Sequence, residues 1–241
     1  MSFLSELLSA SRRRRRLRRA RAELARIASD NTVEIDDGDL LRVRLHVKGS
    51  GNVIRIGRLR PGRGRLDISL FAQDSTVEIG EGLYVGGRLE IGIGQDNPNF
   101  GCVSGSRVRL GANVGVESCL VAVFTSNSSV AIGRDCMIGH DVTVFHGDAH
   151  PVYDRATGEI VNRVGQLTVG DHVWLGSRST VLKNSAIADG CIVGWGSVVA
   201  GRFTEPNVAL AGNPARPVGR PDRRLEWRTS DPAYIANGGG I

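Results

Sequence analysis

From Val169 onward an aliphatic residue recurs at every sixth position: Val169, Leu175, Val181, Ile187, Val193 and Val199. The position four residues after each of the first five is restricted as well: Val173, Ser179, Ser185, Cys191 and Ser197. The same frame returns at Ile132, Ile138 and Val144 with Cys136 and Val142, and at Ile79, Val85 and Ile91 with Leu83 and Leu89. It is looser at Leu110 and Val116, with Val114 and Leu120 in the second set, and ragged before Ile56. A period of six is neither helical nor a simple two-residue alternation. It fits a short strand followed by a tight corner, with one aliphatic side chain inward and a small residue filling the next bend. Three such units close an 18-residue triangular coil, such as Val169 to Ile187, and stacked coils bury a continuous aliphatic column.

Breaks in the frame are as informative as the frame. Ile132 to Val169 is one coil plus an excess that falls within about 145–166, and a second excursion lies at about 94–106. Long loops on a rigid scaffold are where binding and catalysis concentrate. The pattern divides the chain into an arm (1–30), a coiled body (31–216) and a tail (217–241) rich in Pro, Arg and Gly that is read as loop.

The arm has no Pro or Gly before residue 30 and is predicted helical, with Leu4, Leu7, Leu8, Leu17, Leu24 and Ile27 on a drifting face interrupted by arginines. Charge sharpens this division. Residues 1–30 hold nine Arg against Glu6, Glu23 and Asp30, which accounts for the whole formal net charge of +6. The body is therefore neutral, and a nucleic-acid groove along it is not expected. The arm is expected to cap the open end of the coil or join subunits, or to meet an anionic membrane surface or acidic glycan, with nucleic acid the least favoured partner. No apolar run is long enough to span a membrane. Charge follows rather than precedes the first apolar residues, unlike a signal peptide. Cys102, Cys119, Cys136 and Cys191 are widely spaced and read as reduced thiols.

Two of the five histidines, His146 and His150, lie in the large excursion, with His140 just before it. His140 and His146 are one hexad apart and should leave from different faces, so no metal is expected. A single His acting as general base is the simpler chemistry: imidazole titrates near neutral pH and can take the proton of a hydroxyl nucleophile.

The segments GDAHPVYD (147–154), IVN, LTVGDHVWLG (167–176) and AGNPAR (211–216) occur in that order within the hexad frame. This arrangement resembles the hexapeptide-repeat acyltransferases, and most closely those that O-acetylate capsular or lipopolysaccharide sugars. The resemblance covers roughly residues 125–220 and implies a left-handed parallel β-helix, a hand the spacing does not show and the usual crossover rule would not favour. It implies acetyl-CoA as donor, a sugar hydroxyl as acceptor, and a cytoplasmic homotrimer with active sites between subunits, possible at the inner face of the membrane. His150 takes the place of the general base and Trp174 that of an active-site aromatic. His146 is a second base candidate, and Asp148 and Asp154 are candidates to orient His150. Coenzyme contacts are implied at Gly176, Ser177, Gly194, Ala200, Asn213, Pro214, Ala215 and Arg216, the last toward phosphate. Trp195 would border either the coenzyme or a subunit contact. The competing readings are a non-catalytic β-helix scaffold, a transferase for small hydroxyls or amines, and a zinc-dependent hydratase on the same fold.

Overall fold

A computed structural model of the chain describes residues 3–97, 101–148 and 150–218, with side chains from residue 11. The expected tail beyond residue 218 lies outside the described residues, as does the tip of the first excursion at 98–100. The body is an all-β solenoid of parallel strands, a left-handed β-helix with one helix before it.

The coils present three faces. The first carries eight strands in parallel register, so that Ile56, Ile79, Leu110, Ile132, Val169 and Ile187 stack in one inward column. The second face runs through Met137–Ile138, Trp174–Leu175, Ile192–Val193 and Ala209–Gly212. The third runs through Val43–Lys48, Arg65–Gln73, Val142–His146, Thr180–Leu182 and Val198–Val199. Two long strands, Tyr84–Ile93 and Gly115–Val123, turn the corner between the second and third faces and join them into one sheet.

Every residue of the hexad frame from Val169 to Val199 is buried, as are the restricted positions Val173 to Ser197. The frame is ragged elsewhere because coil length varies. The register pairs Val169 with Ile187, 18 residues on, but pairs Ile56 with Ile79, 23 residues on. One assignment is corrected: Leu120 is 40% exposed, and Cys119 and Val121 point inward instead. The corner after Val116 holds one residue fewer than the corner after Val85, which keeps the six-residue step, so the ladder shifts there and the outward and inward positions exchange in the Val116 coil.

Helix Phe3–Ile27 would be about 37 Å long at the usual rise. Its last turn docks: Ile27 is buried in the core, and Asn31 Nδ2 donates to the Ile27 carbonyl at 3.0 Å while Asn31 Oδ1 accepts from Asn52 of the next coil. A cavity of about 320 Å³ separates Leu24 and Ile27 from Ile35, Leu40 and Leu45, so the arm covers the first coil only in part. At the far end, Ala209–Gly212 and Ala215–Pro217 form an antiparallel hairpin, and Val218 N donates to the Ala209 carbonyl.

Candidate active site

The large excursion leaves the third face after Val142–His146 and enters the first face at Gln166–Val169. Alternation along the strand sends Phe145 outward and His146 inward, where it is fully buried. His146 Nε2 lies 3.1 Å from the Gly165 carbonyl, which ties the two ends of the loop together. Its Nδ1 has no partner among the described residues. Burial holds its pKa below the usual imidazole value, against the contrary pull of the Gly165 carbonyl. A buried neutral ring clamped at the base of the loop is not placed to meet substrate.

His150 stands on the exposed part of the loop, and its N–H donates to the Asp148 carbonyl at 2.5 Å. The loop is organised by Asn162. Its Nδ2 donates to the His150 carbonyl at 2.9 Å and to Asp148 Oδ2 at 2.6 Å, and its Oδ1 accepts from Val152 N at 2.8 Å. Lys183, from the corner of the next coil, pairs with Asp148 and donates to the Asn162 carbonyl at 3.3 Å. Asn184 beside it holds Gly165 N and the Arg163 carbonyl. Burial alone would raise the Asp148 pKa, but the hydrogen bonds from Lys183 and Asn162 and the ammonium charge outweigh it, and the carboxyl lies below its usual range. Asp154 is engaged elsewhere: its Oδ1 accepts from Ala156 and Thr157 N at 2.8 Å each, closing the turn of the hairpin whose strands meet at Tyr153 and Ile160. Asn162 and Lys183 were not singled out from sequence. The available signals were the IVN segment and the fact that Lys183 is one of two lysines in an arginine-rich chain.

Trp174 sits half-buried on the second face between Met137 and Ile192, while Leu175 beside it points into the core. Gly176, Ser177 and Gly194 gather at the corner between the second and third faces. Ser177 Oγ accepts from His140 N at 3.0 Å, and a Cβ on Gly176 would come within 2.5 Å of the Val193 carbonyl oxygen. At the same corner the Arg178 guanidinium lies over the Trp195 ring, 5.8 Å from its centroid, and Trp195 is 69% exposed. Ala200 lies at the opposite edge of the third face, in a hollow of about 550 Å³ shared with Phe145, Asp148, Leu182 and Lys183. Asn213, Pro214 and Arg216 are exposed on the terminal hairpin and Ala215 is buried; Arg216 Nη1 donates to the Ala215 carbonyl at 2.8 Å. One chain therefore brings Asp148, Lys183 and Ala200 together beside the His150 loop. It leaves Trp174, Gly176, Ser177 and Gly194 around the prism from that loop.

Among the described residues no three His, Cys, Asp or Glu side chains converge as a metal site, and no helix is long and apolar enough to cross a membrane. Burial pushes the Cys119 and Cys136 thiols up to about 12, which removes them as nucleophiles near neutral pH.

No family model matches the chain. It is 41% identical over 54 residues to the polysialic acid O-acetyltransferase of Neisseria meningitidis, a match covering 22% of this chain and 25% of that protein. It is 27% identical over 131 residues to the polysialic acid O-acetyltransferase of Escherichia coli O1:K1 / APEC, covering 54% of this chain and 41% of that protein. The chain thus spans a quarter to about two fifths of the length of these curated relatives. Among solved structures, the polySia-specific acetyltransferase NeuO superposes with a TM-score of 0.58 at 25% identity, over 81% of this chain and 94% of that one. Likeness in sequence and likeness in fold thus converge on the polysialic acid O-acetyltransferases, to which the chain is similar.

Proposed function

We propose that the chain is an O-acetyltransferase that moves an acetyl group from acetyl-CoA to a sugar hydroxyl of a surface polysaccharide. The observation that carries this reading is the His150 loop: an exposed imidazole on a backbone fixed by Asn162, in a chain related to polysaccharide O-acetyltransferases.

In the proposed reaction the His150 imidazole accepts the proton of the acceptor hydroxyl as its oxygen bonds to the thioester carbonyl carbon. The negative charge passes to the carbonyl oxygen, where main-chain N–H groups stabilise it. The intermediate collapses by breaking the C–S bond. The coenzyme thiolate leaves and takes the proton back from His150, giving the acetyl ester and free coenzyme A. Asp148 does not need to act on the imidazole for this; paired with Lys183, it shapes the loop. Trp174 would line the acceptor side, and Gly176, Ser177 and Gly194 a narrow channel for the pantetheine arm. Arg216, exposed at the end of the coil, is available to phosphate.

His150 and Trp174 belong to different edges of one prism. A shared site between neighbouring subunits of a homotrimer is therefore part of the proposal. A reaction fed by acetyl-CoA places the chain in the cytoplasm, with its arginine arm available to an anionic surface. The decisive experiment is His150→Ala, assayed for acetyl transfer across a panel of capsular and lipopolysaccharide sugars with binding of acetyl-CoA measured in parallel. Turnover should fall by about 10²–10⁴-fold with the coenzyme still bound. Undiminished turnover would remove His150 as the base, and absence of acetyl-CoA binding by the unaltered chain would favour a scaffold.

A further inference from the structure

The third face carries a feature that the acetyl-transfer chemistry at His150 does not require. Its outward positions align across five successive coils as His46, Ser69, Gly92, Ala122 and Phe145. At the usual spacing of about 4.8 Å between strands this row is about 19 Å long. Three small residues at its centre leave a trough of about 380 Å³. A Cβ placed on Gly92 meets no atom within 4 Å, so the space above the floor is open.

The walls of the trough differ. On one side Asp67 accepts from Arg65 Nε at 2.8 Å and Arg88 Nε at 2.7 Å, and Arg88 also pairs with Glu90 at 2.8 Å. These charges are neutralised within the wall yet keep polar edges toward solvent, since the Arg88 and Glu90 side chains are about half exposed. At the other wall stands Phe124, whose ring centroid is 5.3 Å from that of Phe145. Phe145 closes the trough and also lines the hollow beside Asp148 and Lys183, so the two depressions meet at the foot of the His150 loop.

We infer that this trough is an extended acceptor subsite, which holds a chain of several sugar units while one hydroxyl is presented at the His150 loop. A sugar ring has apolar C–H faces and a rim of hydroxyls. It needs an aromatic surface together with fixed, planar donors and acceptors, and the trough supplies both. A peptide adding a strand is not accommodated, because the backbone along the floor is already paired with the coils on either side. A lipid chain is disfavoured by the Asp67–Arg88–Glu90 wall, whose desolvation would cost more than the aromatic end returns. The inference rests on the acetyl-transfer reading for the identity of its ligand as acceptor.

The test uses the full chain and compares wild type with Gly92→Phe, which fills the trough at a strand position with room for a side chain, and with Phe124→Ala, which removes one wall. Binding is measured on immobilised capsular and lipopolysaccharide polymers, and acetyl transfer is measured on the same polymers and on their two-sugar fragments. Gly92→Phe should weaken polymer binding and raise the polymer KM by about tenfold or more, while turnover of the fragments is retained. Phe124→Ala should shift both in the same direction. Unchanged polymer binding in both variants, or no binding by wild type, overturns the subsite. So does a change of oligomeric state in Gly92→Phe, which would make the face a subunit contact. Polymer that binds in the trough but is never acetylated would overturn the enzymatic reading while leaving the groove in place.

Discussion

The side-chain amide of Asn162 donates to the main-chain carbonyl of His150 at 2.9 Å, and the same nitrogen reaches Asp148 at 2.6 Å. Twelve residues apart in sequence, the two are held as one unit because the intervening hairpin folds back on itself between Tyr153 and Ile160.

Asn162→Ala removes three hydrogen bonds from the loop without touching the core. Displacing a catalytic group by an ångström or so costs about 10²-fold in rate. We expect kcat to fall by about that factor, with KM for acetyl-CoA essentially unchanged. Steady-state kinetics alongside thermal unfolding separate this from general destabilisation. A kcat equal to that of wild type would show that the loop does not need this anchor.

His146 makes stability depend on pH in a predictable direction. Its folded pKa is depressed, so below the ordinary imidazole value of about 6.5 the unfolded chain binds the proton more readily than the folded one. Its contribution is complete above that value and is lost as pH falls below it toward the folded pKa. Urea titrations from pH 7.5 to 5 should show this loss in wild type. In His146→Gln, which keeps a polar side chain but does not titrate, the slope should be shallower. Equal slopes would mean that the buried ring does not titrate on unfolding.

The frame shift at the third face is testable through a neighbouring pair. Val121 is fully buried and Leu120 is 40% exposed. Val121→Ala should cost about 2 kcal/mol, the loss of two methyl groups plus part of a cavity. Leu120→Ala, although it removes the larger side chain, should stay within about 0.5 kcal/mol of wild type. Chemical denaturation decides, and the reverse order would restore the unshifted frame.

Arg12 to Arg16, Arg18 and Arg19 are exposed and have no carboxylate partner among the described residues, whereas Arg21 pairs with Asp37 and Arg26 with Glu23. Replacing those seven with Gln should abolish salt-sensitive retention on vesicles of anionic lipid or on an acidic polysaccharide, where each cation contributes about 1 kcal/mol near such a surface. Transfer to short acceptors should be unaffected. Retention that survives the replacement would assign attraction to another part of the chain.

Much of the body was legible in the sequence because, in a coil, burial repeats locally. The six-residue step from Val169 to Val199 names its core residues directly, since each occupies the same inward position one side further round. The His-Pro loop was legible as an interruption of that step. Other features depend on which residue of one coil lies over which residue of the next, and that is set by the length of the coil between them. Where a corner loses a residue, as after Val116, Leu120 and Val121 exchange sides with no mark in composition. Asn162 and Lys183 meet Asp148 only because 14 and 35 residues of chain return to one edge. The Ser69–Gly92–Ala122 floor and its walls arise in the same way, from small residues of three coils falling into one register. Spacing and composition alone specify the repeating inward column, the helical arm and the loop that carries His150. What stacks above what emerges in the folded chain, because the register between coils depends on varying coil lengths that a fixed period does not record.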